Sequence, residues 1–355
     1  MKIRTALSVT AASVTAALML SGCVAGEGTA KAAEPAEPAA GGTPSADAPA
    51  GWSADVLNID FATYNPLSLI IKDQGWLEAE LGDDVTVNWI QSAGSNKANE
   101  ALRAGAVDVG STAGSAALLA RANGSPIQAI DIYSQPEWSA IVVPKDSPIT
   151  SVADLEGKTV AATKGTDPYF FLLQSLQENG VALDAVQVQN LQHADGKAAL
   201  EAGSVDAWAG LDPLMAASEA TAGSTLLYRN VDFNSYGFLN ATESFLERSP
   251  DLAQLVVNAY EKARAWAQEN PEETAAILAE VAGIDPVVAT TVITERTTFD
   301  IDPAPGAAQR TVLEVVGPIF VESGDVQTQD AIDEALDVLL NDTFAKAADP
   351  GALDG

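Results

Sequence analysis

Between residues 54 and 240 the spacing of apolar positions switches repeatedly from every second residue to every third or fourth. Val56, Ile59 and Phe61 predict a strand. The turn Ala62-Thr63-Tyr64-Asn65-Pro66 follows, and a helix through Leu67, Leu69, Ile70 and Ile71 stops near Gly75, with Pro66 suited to its first turn. Val85, Val87, Trp89 and Ile90 predict the next strand. The polar run Gln91–Asn96 opens a helix over Asn99–Ala104, and Gly105 takes the left-handed position that ends it. Val107 and Val109 make another strand, Gly110–Ser115 a small-residue loop, and a new apolar helix begins at Ala116. Ile127–Ile130 and Ser139–Val143 read as strands on either side of a loop, Tyr133–Trp138.

Pro144–Pro148 reads as a crossover between two lobes. Beyond it come a short helix, Ser151–Lys158, capped by Gly157, and a strand, Thr159–Ala162. The loop Thr163–Pro168 enters a helix over Tyr169–Asn179, and Ala185–Val188 is the next strand. An internal echo appears here: Ala101-Leu102-Arg103-Ala104-Gly105-Ala106-Val107-Asp108 matches Ala199-Leu200-Glu201-Ala202-Gly203-Ser204-Val205-Asp206, so Asp108 and Asp206 are expected to fix equivalent turns. Trp208–Pro213 ends the second copy. Leu226–Tyr228 and Gly237–Asn240 surround a second crossover. Asp251–Asn270, Pro271–Val281, Pro286–Thr294, Ala307–Glu322 and Thr328–Leu340 are expected helices, and the tail from Ala345 is expected to be loose. Strands alternating with helices predict an α/β fold with mostly parallel sheets, in which ligands bind beyond the carboxyl ends of the strands. The loops at Thr63–Pro66, Gly94–Asn96, Ser111–Gly114, Thr163–Asp167 and Gly210–Asp212 would then line one cleft.

Composition adds the setting. Lys2 and Arg4 precede an apolar run, Ala6–Leu20, shorter than a usual membrane span, which reads as a secretory signal over residues 1–22. Cys23 is the sole cysteine and cannot form an internal disulfide. Val24–Gly51 is rich in Ala, Pro, Glu and Gly and reads as a tether, with the folded part starting near Ala54. With 18 basic and 49 acidic residues the net charge is −31, which argues against nucleic acid and anionic membrane faces as partners. That field also repels an anionic ligand, so fixed local donors would have to hold it.

Little in the sequence suits catalysis. The single histidine, His193, reads as part of a surface loop with no nucleophile beside it; no Cys/His set could hold zinc, and no phosphate-loop or glycine fingerprint appears. No cofactor is expected. Anion binding has parts: small-residue corners at helix starts present amides to negative charge. Donor candidates are Ser95, Asn96, Ser111, Thr112 and Thr166, with Lys97 and Lys164 as charge partners. Tyr64, Trp138, Tyr169, Trp208 and Tyr236 could wall an organic tail.

Several of these stretches resemble the aliphatic sulfonate-binding proteins of ABC importers, a group that also takes in binders of taurine, nitrate and thiamine precursors. They are Phe61–Tyr64 with Gly75–Glu78, the Asn99–Gly114 block, Ser151–Ala161, and Val205–Pro213; the likeness runs over about Asp55–Leu340. The resemblance implies a two-lobed periplasmic-binding-protein fold of type II, with residues 54–143 and 241–345 in one lobe and 144–240 in the other. Separately, Leu20-Ser21-Gly22-Cys23 resembles a bacterial lipobox, which implies that Cys23 is the lipidated N-terminus, with 23–53 as anchor and tether. The implied partners are a small organic anion and membrane permease subunits, and the implied state is a monomer. The resemblance implies that the sulfonate contacts the Gly94–Asn96, Ser111–Ala113 and Gly165–Asp167 loops; with the other corners, aromatics and lysine read above, the expected ligand site is Thr63, Tyr64, Asn65, Gly94, Ser95, Asn96, Ser111, Thr112, Ala113, Trp138, Lys164, Gly165, Thr166, Asp167, Trp208, Gly210 and Asp212. One departure stands out. Where related binders continue Lys-Gly with Ser and His, this chain has Thr166-Asp167-Pro168-Tyr169, and an acid beside a sulfonate is unfavourable unless it faces away or meets an amine.

Overall fold

A computed structural model describes residues 51–353; the expected signal segment, Cys23 and the expected tether up to residue 50 lie outside the described residues. The last two tether positions belong to the fold. Trp52 packs on the apolar core and the Ser53 amide donates to Asp251 Oδ2 at 2.9 Å, so the fold takes in Trp52 and Ser53 ahead of Ala54.

The described residues hold eleven strands: β1 (Val56–Phe61), β2 (Thr86–Gln91), β3 (Val109–Ala113), β4 (Ile127–Pro136), β5 (Ser139–Val143), β6 (Thr159–Ala162), β7 (Gln187–Asn190), β8 (Ala207–Leu211), β9 (Thr225–Tyr228), β10 (Gly237–Thr242) and β11 (Thr297–Thr298). They form two sheets, ordered β11-β4-β10-β3-β1-β2 and β7-β6-β8-β5-β9. The expected parallel pairing holds for β2-β1-β3 and for β7-β6-β8. Elsewhere the sheets are antiparallel, because β5 and β10 enter each sheet on the return from a crossover. β5 lies in the second sheet and β10 in the first, so the chain changes sheet near Glu137-Trp138 and near Asn234–Tyr236. The first crossing falls earlier than the prolines at 144–148 suggest, and the second falls between Tyr228 and Gly237 as the sequence pattern suggests.

The internal echo has a structural counterpart. The Asp108 amide donates to Asn58 O at 2.7 Å, and its carboxylate accepts from the Asn58 amide at 3.0 Å. Asp206 repeats this on Thr159, with distances of 2.9 Å in both directions. Each acid thus ties the start of a third parallel strand to the first, and the two sheets are built on one plan.

Burial explains the helices. Phe170 and Phe171, both fully buried on the helix Asp167–Glu178, are worth about 1.5–3 kcal/mol each in the transfer from water. Phe170 also meets Phe320 of the helix Ala307–Glu322 at 4.4 Å between ring centroids, which joins the second sheet's helix to the C-terminal helices. The tail is docked, not loose: Ala345 and Leu353 are buried, and the Asp349 amide donates to Asn258 Oδ1 at 2.9 Å. β4 runs through Tyr133–Pro136, where a loop is expected from the sequence, because β10 and β11 pair with it there.

Candidate functional site

The corner after β3 is closed by the protein itself. Ser111, Thr112 and Ala113 are strand residues paired with β10, not loop residues. The Ser111 amide donates to Asp60 Oδ1 at 2.8 Å, and its hydroxyl reaches Asp60 Oδ2 at 3.2 Å. The Ala113 amide donates to Ser95 Oγ at 2.9 Å. Thr112 Oγ1 donates to Ala113 O and accepts from Asn240 Nδ2, both at 2.8 Å. Gly114 and Ser115 follow suit, on Tyr236 O and Ser235 Oγ. The expectation that Ser111–Ala113 present free donors is therefore corrected: the Ser111 and Ala113 amides go to buried partners distant in sequence, and the Thr112 hydroxyl to the neighbouring Ala113 carbonyl. Burial raises the Asp60 carboxyl to about 7, against the pull of Ser92 and Ser111.

Asp167 resolves differently from its sequence context. It is buried at the first turn of its helix and meets no amine. Ser115 Oγ and Ser235 Oγ donate to one oxygen at 2.6 Å each; Trp138 Nε1 and the Ser235 amide donate to the other at 2.8 and 2.9 Å. Burial pushes its pKa up and these donors pull it down. Trp138 and Ser235 stand at the two crossovers and Ser115 on a first-sheet helix, so Asp167 clasps both sheets together.

Beside this clasp, Thr63, Tyr64, Trp138 and Asp212 line a cavity of about 10 Å³ with Arg296, room for about one water. Arg296 binds both Asp212 oxygens at 3.1 and 3.2 Å and Glu219 at 2.6 Å. Nothing in the sequence marks Arg296, because it comes from the C-terminal helices, far from the strand corners. Tyr64 donates to Ser111 O at 2.9 Å and packs edge-on against Trp138; Asn65 caps its own helix at Ser68 and donates to Tyr260.

A third group meets across the seam between the sheets. The first residues of the helices Ser95–Ala104, Asp167–Glu178 and His193–Glu201, or those just before them, come together there. A methyl group built on Gly94 would meet Asn96 Oδ1 and His193 Nε2, each at 2.9 Å; one built on Gly165 would meet Asn96 Cβ at 3.7 Å. The amides of Ser95 and Asn96 precede the first helical bonds, in which Lys97 and Ala98 donate to Gly94 O. Thr166 Oγ1 turns back to Thr163 O at 2.6 Å. His193 is not on a surface loop: it is 2% exposed, begins its helix, and burial lowers its pKa to about 3. Asn96 Oδ1, Gln192 Oε1 and His193 Nε2 are buried without a partner. The position of His193 at a helix start after a strand was the available signal; its isolation from other chemistry hid it.

Other expected residues fall elsewhere. Lys164 is exposed with its Nζ over the Tyr169 ring at 5.5 Å, and Lys97 pairs with Glu100 at 2.7 Å on the surface. Trp208 is fully buried with its ring against Gly196, and Gly210 abuts Val142, so both serve the second sheet's core. Tyr236 lines a separate cavity of about 350 Å³ with Phe233 and Val315. Among the described residues no cluster of three His, Cys, Asp or Glu could hold a metal ion, and no helix is long and apolar enough to cross a membrane.

Residues 69–274 match the model of a family described as NMT1/THI5 like. A relative in Escherichia coli (strain K12), named as a candidate aliphatic sulfonates-binding protein, is 31% identical over 240 residues, covering 67% of this chain and 75% of that protein. The periplasmic aliphatic sulphonate binding protein SsuA from Escherichia coli superposes with a TM-score of 0.69 at 26% identity, over 82% of this chain and 93% of that one. The alkanesulfonate-binding protein SsuA from Xanthomonas axonopodis pv. citri, bound to MOPS, gives a TM-score of 0.71 at 23% identity, over 79% and 98%. The fold shared with them is the two-lobed type II periplasmic-binding-protein fold.

Proposed function

The chain belongs to the NMT1/THI5-like family, and from that premise we propose that it captures an aliphatic sulfonate between two lobes and delivers it to an ABC importer without turning it over. We divide the lobes along the sheets, so that β5–β9 form one lobe and the remaining strands, with the C-terminal helices, the other. A lipid on Cys23 holds the protein, as a monomer, at the outer face of the cell membrane, and the residues up to 50 give it reach. The basic start, short apolar run and Leu20-Ser21-Gly22-Cys23 support this placement.

One observation carries the reading: helix N-termini from both lobes meet at Asn96, Gly165 and His193. Each offers amides and a positive dipole end to an oxyanion. A hydrogen bond to a charged group contributes roughly 1.5–3 kcal/mol, and a micromolar complex needs about 8 kcal/mol, so three or four such donors are the right order. Ser95, Asn96, Gly165 and Thr166 are the assigned donors. Tyr64 and Trp138 form the apolar wall. Lys164 and Lys97 have no part in it.

Calorimetry with a series of alkanesulfonates tests the proposal. Saturable binding with recovery of the ligand unchanged is the expected result. Heat with nitrate or a pyrimidine but with no sulfonate would reassign the ligand.

A further inference from the structure

His193 is the only histidine in the chain, and its bonding dictates its tautomer. Thr163 Oγ1 gives its one proton to Leu191 O at 2.7 Å. Its 3.2 Å contact with His193 Nδ1 therefore places the ring proton on that nitrogen. The ring is 2% exposed, and burial keeps it neutral. Nε2 is thus a bare acceptor, and it has no partner. Asn96 Oδ1, also buried and unpartnered, shares the flank of Gly94 with it. Buried acceptors nearly always find a donor, so two of them side by side at the seam of the two lobes call for one from outside the chain.

We propose that the seam recognises a hydrogen-bond donor on the ligand: the sulfonate carries a hydroxyl or ammonium group near its sulfur, and His193 Nε2 accepts that proton while the Ser95 and Asn96 amides hold the sulfonate. The inference rests on the sulfonate reading above. It narrows the ligand from alkanesulfonates to hydroxy- or aminoalkanesulfonates. Because three helix N-termini meet at the same place and disfavour positive charge, the hydroxyl form binds tightest.

The test is calorimetry with ethanesulfonate, 2-hydroxyethanesulfonate and 2-aminoethanesulfonate, which share one carbon skeleton. A site built around a substrate donor rejects the analogue lacking it, so the hydroxy ligand should bind about tenfold or more tighter than ethanesulfonate. His193→Phe should bring that ratio near one, and His193→Gln, which keeps an acceptor, should restore part of it. In the unmodified protein, the ¹⁵N signal of the sole imidazole offers a check that needs no variant: Nε2 should move on adding the hydroxy ligand while Nδ1 stays protonated. Equal affinities for the three ligands, a ratio untouched by His193→Phe, or a still Nε2 signal would overturn the inference and leave the sulfonate reading standing. Binding of none of the three would overturn both.

Discussion

At the corner after β3, the amides of Ser111, Ala113 and Ser115 end on Asp60, Ser95 and Ser235. At the corner after β2, one strand away but one, the Ser95 and Asn96 amides open a helix, and Asn96 Oδ1 has no partner. Both corners are short runs of Gly, Ser, Ala and Asn or Thr, and both launch helices. What separates them is who arrives from elsewhere: Asp60 is 51 residues from Ser111, and Ser235 is 120 from Ser115. A corner closed in this way is a joint of the fold, whereas one left open is available to a ligand.

Glycine-to-alanine changes give the largest contrast. At Gly114 a methyl would lie 2.4 Å from the Ser235 carbonyl oxygen and 2.8 Å from the Phe238 ring, where neither can yield. We expect Gly114→Ala to cost about 3 kcal/mol, at the upper end for overpacking, with Gly94→Ala costing less, about 2 kcal/mol, because its methyl meets side-chain ends of Asn96 and His193 at 2.9 Å rather than backbone, although its φ of +157° also favours glycine. Denaturant titration of both variants measures this, and equal losses would erase the distinction between the corners. Asp167→Ala should come next. It strands the Trp138 and Ser235 N–H donors, at about 2–3 kcal/mol by the same titration.

The two buried titrating groups at these corners should tilt stability in opposite directions. Asp60, raised from 3.8 to about 7, holds a proton in the fold that the unfolded chain releases, so its contribution is full below pH 4 and is lost as pH rises toward 7. His193, lowered from 6.5 to about 3, stays neutral in the fold while the unfolded chain takes a proton, so its contribution is full above pH 6.5 and is lost as pH falls toward 3. Between pH 5 and 7, Asp60→Asn should tilt the stability curve upward with pH relative to the unmodified protein, and His193→Gln should tilt it downward, each by about 2 kcal/mol. Denaturation curves across that range check the signs. The smallest effect is expected at Lys97 and Lys164: alanine at either should change sulfonate affinity less than about twofold, since one is in a surface ion pair and the other is exposed with its ammonium over the Tyr169 ring. A tenfold loss at either would restore them to the site.

Much of the fold is legible in the sequence, because period-two and period-three-to-four patterns are local. The echo at Asp108 and Asp206 even anticipates two matching sets of hydrogen bonds. The site is legible only as a set of corners. Nothing local in Ser111-Thr112-Ala113 says that β10 will pair with it, and nothing near Asp167 says that two serines and an indole will gather round its carboxylate. His193 was hidden for the converse reason: its partners are a threonine hydroxyl and an empty acceptor position, neither of which a motif records.

The indole of Trp138 stands where the chain first passes between sheets, edge-on to Tyr64 and Tyr133 and bonded to Asp167. Parting the sheets must break that bond and wet the ring, and an indole brought from a dry niche into water emits at longer wavelength. A motion of that kind on ligand capture would therefore show in the emission of this indole, timed in a stopped-flow fluorimeter with no dye attached.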